Sequence, residues 1–303
     1  MKKFFETIGV ISLIAFTFFY TEKTVNVVRE LDNIMIEIKK VAPNYYKEAI
    51  NAKINGDTII PGINGRKVNE DKSYFSMKKY GAFNSNLLEY IDINPKVTIK
   101  NNFNKYVVGA NAIKKTTSLI FLVEENDDII PIINILTKNN IKASFFIDGL
   151  WMEENNDLLI DTMKDGHDIG NLSYNKDYSN SAYLWMDTII KKIGNQQNSY
   201  CYVETKLKEV LETCSIYHNY TILPSIIVKN NPALEVKMKL SSGSIISIPI
   251  NDTSVNELQT IINIIKSRGL DIVKLSEHLS EIYKYWQCQY FSFNYYQNMV
   301  KLK

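Results

Sequence analysis

The chain has 303 residues, a formal net charge of +2 and 22% charged side chains, with three histidines and three cysteines. A hydrophobic fraction of 45% is too rich for a disordered chain and large enough for a sizeable core. The near-neutral balance excludes the basic face of a nucleic-acid binder, and the scattered cysteines and three isolated histidines exclude a zinc ribbon and a clustered multi-histidine metal site.

Residues 1–21 read as a transmembrane signal anchor. Lys2 and Lys3 precede a mostly apolar run over residues 4–20, broken by Glu6. At 1.5 Å per residue the run spans roughly 25 Å, a little short of a bilayer core. The lysines favour a cytoplasmic amino terminus, with the body of the protein outside the cytoplasm. No small-x-small pattern closes the run, which ends Phe18-Phe19-Tyr20, so a retained anchor is preferred to a cleaved signal peptide. Residues 22–56 read as a helical stalk: Val25, Val28, Leu31, Met35 and Ile38 recur at helical steps, either continuing the anchor or packing on the body.

Residues 57–115 read as a small α+β membrane-proximal module. Pro61-Gly62, Asn64-Gly65 and Asn94-Pro95 are turn signals, residues 97–99 and 106–108 read as strands, and residues 72–89 contain helical turns. From residue 116 strand and helix alternate. Strands are expected at 118–123, 142–147, 168–171, 200–203, 220–223, 244–248 and 271–275, with helices at 129–136, 154–164, 185–193, 207–211 and 257–267. Such alternation implies a parallel sheet or barrel with helices outside, whose site lies just beyond the carboxyl ends of the strands.

Two segments carry a resemblance. Asn140-Ile141-Lys142-Ala143-Ser144-Phe145-Phe146-Ile147-Asp148-Gly149 and Gly166-His167-Asp168-Ile169-Gly170-Asn171, followed late in the chain by residues 264–277, resemble polysaccharide deacetylases of the NodB-homology class, carbohydrate esterase family 4. The resemblance covers residues 116–280 and implies an α/β fold, a distorted (β/α) barrel. It also implies removal of acetyl groups from sugar polymers with a divalent metal.

Residue by residue, the implied chemistry is missing. The family's paired aspartates after the first strand, a base and a metal ligand, correspond to Glu124 and Glu125, and its turn glycine to Asn126. The two metal-binding histidines correspond to Leu172 and Lys176. Leucine has no lone pair, and an ammonium repels a cation. The base-orienting arginine corresponds to Cys201, and the catalytic histidine to Pro249. No catalytic residue, metal ligand or cofactor is therefore predicted; the ancestral divalent metal is expected to be lost. Lys176 is expected to pair with Glu124 or Glu125 in the vacated position. The acidic run Glu124, Glu125, Asp127, Asp128 is preferred as a solvated loop capping the next helix over an oxygen-only metal site. His167, His218 and His278 are expected to be structural or ordinary packing residues.

Trp151, Tyr174 and Asn175 are candidates for contact with a sugar. Cys201 and Cys214 are free to oxidise outside the cytoplasm, yet are expected to stay apart, at opposite ends of the barrel. The aromatic tail, residues 281–303, is preferred as packing over sugar stacking. The sequence thus predicts a membrane-anchored, extracytoplasmic, inactive deacetylase-like protein that binds or scaffolds a cell-wall polysaccharide, with no nucleic-acid partner. The alternatives are an active deacetylase with an unorthodox acidic site and a structural or partner-binding envelope protein. Oligomeric state is left open.

Overall fold

The structure, a computed structural model, describes residues 26–194 and 199–282 and five isolated positions before them. Among the described residues no helix is long and apolar enough to cross a membrane. The expected anchor falls almost wholly outside the described residues, as does the aromatic tail beyond residue 282. The described residues divide into two compact units, one formed by residues up to 49 with 64–94, the other by 50–63 with 95–282.

In the smaller unit the expected stalk is part of a core. A helix at Asn33–Val41, capped by the Asp32 carboxylate on the Ile34 amide, buries Ile34, Met35 and Ile38. They pack with Tyr74, Met77 and Leu88, the first two from a helix at Glu70–Lys78. A two-stranded antiparallel sheet pairs Gly65–Val68 with Tyr90–Ile93. Of the residues that recur at helical steps along the stalk, Met35 and Ile38 lie on this buried face, while Val28 and Leu31 are exposed.

The larger unit is built on eleven strands. In chain order they are β1 (Lys53–Asn55), β2 (Thr58–Ile60), β3 (Tyr106–Val107), β4 (Thr116–Val123), β5 (Ser144–Ile147) and β6 (Asp168–Asn171). Then follow β7 (Tyr200–Tyr202), β8 (Tyr220–Ile222), β9 (Ile226–Ile227), β10 (Ile245–Pro249) and β11 (Asp271–Ile272). The sheet runs β1-β2-β3-β8-β7-β6-β5-β4-β10-β9 and does not close; β11 pairs with the first two residues of β4. It is a curled half-barrel, parallel except for the β1–β2 hairpin. The expected 57–115 module is thus divided. Its strands β2 and β3 extend the large sheet, while residues 64–94 belong to the smaller unit. Residues 99–101 form a single 3-10 turn where a strand was expected.

Helices lie between the strands: α1 (Ile130–Lys138), α2 (Gly149–Glu154), α3 (Asn156–Lys164), α4 (Asn180–Gly194), α5 (Lys208–Ile216), α6 (Pro232–Lys239), α7 (Asp252–Ser267) and α8 (Leu275–His278). The expected single helix at 154–164 is two, because Asn155 leaves helical geometry between them. Strand β4 opens with Thr116-Thr117-Ser118 and continues as an apolar run to Val123, buried on both faces as a central parallel strand requires. Phe121 on β4 and Phe145 on β5 stack with centroids 5.3 Å apart in the main core. Truncating either ring to alanine costs about 3–5 kcal/mol.

Candidate functional site

The parallel register aligns the carboxyl ends of four strands. Val123 lies beside Ile147, Ile147 beside Asn171, and Asn171 beside Cys201. The residues that follow, Glu124, Asp148, Leu172 and Tyr202, therefore form the rim. A cleft of about 710 Å³ opens there, with Glu124, Leu172, Lys176, Tyr202 and Glu204 among its lining residues.

The family's histidine loop has become a tight polar turn. Asp148, only 3% exposed, holds it. Its Oδ1 accepts from the Leu150 amide at 2.9 Å, capping α2, and from the Asn175 amide at 3.2 Å. Its Oδ2 accepts from the Lys176 amide at 3.1 Å. Ser173, Asn175 and Lys176 all take left-handed backbone, with φ of 65°, 52° and 57°. Such conformations are costly for residues with a Cβ, so the bonds to Asp148 are needed to keep them. Asn126, at the position of the family's turn glycine, does not take left-handed backbone. Gly149 completes the packing, since a Cβ there would lie 2.5 Å from the Tyr174 ring.

Lys176 and Glu124 meet as expected, with Nζ 2.7 Å from Oε1. Their side chains are 56% and 53% exposed, so the pair is solvated and contributes at most about 1 kcal/mol. Leu172 is buried in an apolar cluster with Phe146 and Tyr202. These residues do not fit a divalent ion. An ammonium stands at one histidine position and an alkyl side chain at the other. Among the described residues no group of three or more His, Cys, Asp or Glu side chains is arranged to hold a metal. Glu125 is exposed. Asp127 accepts from the Glu124 amide at 2.8 Å, and burial pushes its carboxyl up. Asp128 accepts from the Ile130 amide at 2.9 Å, so the acidic run caps α1. Pro249 ends β10 opposite Leu122, at a position where no proton donor is available.

The three candidates for sugar contact do not line the cleft. Trp151 is 1% exposed, and its indole N–H donates to the Asp127 carbonyl at 2.8 Å. Its large apolar ring belongs to the core, where the sequence placed it at the surface. Tyr174 turns away, its hydroxyl on Glu153 at 3.1 Å and its ring edge-on to Trp185. Asn175 is exposed and serves the turn through its amide. The cleft is lined instead by Asp177, Tyr178, Tyr202, Glu204 and Glu209, none singled out from the sequence. Glu204 follows β7 at its carboxyl end, where the strand rule already pointed. The Tyr202 hydroxyl lies 3.0 Å from Ser247 Oγ, and burial raises its phenol above the ordinary value.

Cys201 and Cys214 are joined by a disulfide, with Cα atoms 6.4 Å apart, against the expectation that they stay separate. Residues 203–207 reverse the chain at once, laying α5 back along β7 so that both cysteines sit in one buried cluster. The bridge brackets Tyr202, Glu204 and Glu209, and so fixes one wall of the cleft.

The comparisons agree with this geometry. Residues 111–214 match the family model described as polysaccharide deacetylase. The uncharacterised protein YlxY of Bacillus subtilis (strain 168) is 29% identical over 279 residues, covering 85% of this chain and 87% of that protein. Wild-type BA3943 of Bacillus anthracis, a CE4 family pseudoenzyme, superposes with a TM-score of 0.64 at 25% identity, covering 83% of this chain and 96% of that one. A mutant of BA3943 described as having restored enzymatic activity gives 0.63 at 24% identity, over 83% of this chain and 99% of that one. An aligned parallel sheet, the matched family segment and these relatives lead to one assignment: residues 111–214 carry a polysaccharide-deacetylase domain, in a chain whose fold is similar to that of a CE4 family pseudoenzyme.

Proposed function

We propose that this protein is a catalytically inactive member of its family, held at the membrane by its amino-terminal segment with its body outside the cytoplasm. Its cleft binds or scaffolds a sugar polymer of the cell envelope. The observation that carries the inactive reading is the Lys176 ammonium, 2.7 Å from the Glu124 carboxylate. Metal-assisted amide hydrolysis needs an ion to polarise the carbonyl and activate a water. A lysine supplies the positive charge but no open coordination position. It also ties up the carboxylate that would accept the water's proton. The general acid, which ordinarily contributes about a hundred- to ten-thousand-fold, is a proline. The relationship to BA3943, a pseudoenzyme, supports the same reading. The disulfide between Cys201 and Cys214 suits an oxidising compartment, and so supports the extracytoplasmic placement.

The test is acetate release from acetylated chitin oligomers and peptidoglycan fragments by the full-length protein, with and without Zn²⁺ or Co²⁺, beside a pull-down on the insoluble polymers. Retention on polymer without acetate release is expected. Acetate release that vanishes in Glu124→Gln or Glu125→Gln would instead establish an active deacetylase with an acidic site. Neither retention nor release would favour a purely structural role.

A further inference from the structure

We infer that the cleft takes an oligosaccharide carrying free, protonated amino groups. The inference rests on the sugar-binding reading above and narrows it to one class of polymer. It follows from the charge of the cavity, a property separate from the missing chemistry. Of the ionisable residues lining the cleft, Glu124, Asp177, Glu204 and Glu209 are carboxylates and Lys176 is the one ammonium. Lys176 is paired with Glu124 at 2.7 Å. The two lysines that flank this wall are engaged elsewhere: Lys206 with Asp57 at 2.6 Å, and Lys208 with Glu212 at 3.2 Å. Asp177 accepts only neutral donors, the Ser179 amide at 2.8 Å and hydroxyl at 2.9 Å. Glu204 receives only a long contact of 3.5 Å from the Tyr202 hydroxyl. Three carboxylates therefore face the cavity without a cation among the described residues.

A cavity of about 710 Å³ falls within the range of about 300–1,000 Å³ usual for small-molecule sites. Two of its four carboxylates, Glu204 and Glu209, lie on the wall bracketed by the disulfide, while Leu122, Leu172, Leu207 and Val210 supply apolar surface. Such a lining suits the alternating apolar faces and hydroxyl edges of a pyranose chain. The excess negative charge repels uronic acids and phosphodiesters. It leaves acetamido sugars unrewarded, because a neutral amide offers a carboxylate only one N–H. An ammonium offers three donors and a full charge, and charge-assisted hydrogen bonds are roughly twice as strong as neutral ones.

The test is calorimetric titration of the full-length protein with a glucosamine oligomer, the matching N-acetylglucosamine oligomer and an oligolysine of equal charge. It is run at about pH 6. The glucosamine oligomer is expected to bind about tenfold or more tighter than its acetylated counterpart. Raising salt from about 0.1 M to about 1 M, which shortens the screening length from about 10 Å to about 3 Å, should erase most of that preference. Glu204→Gln and Glu209→Gln should each weaken binding about two- to fivefold, as an exposed charge pair would. Glu154→Gln, exposed and outside the cleft, should leave it unchanged. Equal or stronger binding of the acetylated oligomer overturns the amine assignment and leaves the sugar reading standing. Binding of neither oligomer overturns both. Oligolysine bound as tightly as the glucosamine oligomer overturns the assignment in favour of a basic peptide.

Discussion

At the amino-terminal end of the strands a group of charged and imidazole side chains is buried and hydrogen-bonded; at the carboxyl end most charged side chains stand in water. Lys114 donates to the carbonyls of Glu277, His278 and Ser280 at 2.6, 2.8 and 2.8 Å. His278 spans Thr116 Oγ1 at 2.9 Å and the Gly243 carbonyl at 3.2 Å. Asp168 holds Lys274 at 3.0 Å and the Ser276 amide at 2.7 Å. His167, also buried, accepts the Ala143 amide at 3.1 Å. Across the sheet, Glu124 and Lys176 are more than half exposed, and Glu204 and Glu209 are exposed. The difference explains how side chains at the open end can change while the fold persists. Order is stored at the closed end, where every substitution disturbs a buried network. The open end tolerates exchange, because its charges cost little to leave in solvent.

One carboxylate at the open end breaks this pattern, and it provides the largest expected effect. Asp148 accepts three amides from within the rim. Asp148→Ala should lower stability by about 3–5 kcal/mol, since it orphans those donors and releases three left-handed residues. Asp148→Asn, which keeps one acceptor, should lose less. Urea titrations of the two variants check both values. An alanine variant within about 0.5 kcal/mol of wild type would show that the loop holds itself.

Next in size is the disulfide, which ties the open rim to the interior. With the cysteines 13 positions apart in sequence, its removal should cost about 3 kcal/mol. Reduction or Cys214→Ser should also loosen the acidic wall, seen as faster amide exchange over residues 203–210. Unchanged exchange in the reduced protein would mean that α5 packs in place without the bridge.

The closed end has its own signature in pH. Burial, aided by the Lys114 charge, pushes His278 down to about 3, and burial pushes His167 down to about 4. Unfolded histidine titrates near 6.5. Both groups are therefore held neutral in the folded state. Their contribution is complete above about pH 6.5 and drains as pH falls toward the folded values, at up to about 1.4 kcal/mol per pH unit for each histidine. His278→Gln should flatten the slope between pH 6.5 and 4 relative to wild type. A variant with the wild-type slope would place the titration elsewhere.

Much of the closed end could be read from the sequence, and less of the open end. The run at β4 and the Gly166–Asn171 segment announced a central parallel strand and its neighbour because their burial is continuous in sequence. The empty chemical positions at Leu172, Lys176 and Pro249 were equally plain, being side chains that lack the needed lone pairs. The rest depends on contacts between distant residues. The β1–β2 hairpin joins the sheet only through a two-residue strand at 106–107, too short for periodicity to reveal. Trp151 looked accessible because it follows a strand end, yet its indole turns inward to Asp127. The disulfide hinged on how sharply residues 203–207 reverse, which composition does not encode. Stalk periodicity was visible, but what it packs against was not.

The smallest expected effect tests the comparison most directly, at the pair that replaces the metal chemistry. Glu124 and Lys176 are each held by backbone that does not depend on their charges, through Asp127 on one side and Asp148 on the other. Their bond at 2.7 Å is open to solvent, so a double-mutant cycle with Glu124→Gln and Lys176→Gln should give a coupling below about 1 kcal/mol, falling further in high salt. A coupling of several kcal/mol would mean that the pair is desolvated in solution and that the rim is part of the stabilising network. A small coupling has a consequence for the chemistry. Lys176 then excludes a cation by its charge and position alone, and Lys176→His can remove that exclusion with almost no loss of stability. Zn²⁺ titration of Lys176→His together with Leu172→His should show binding that the wild type lacks. Because Leu172 is buried, the Leu172→His change, unlike the Lys176→His change, should register in the melting curve.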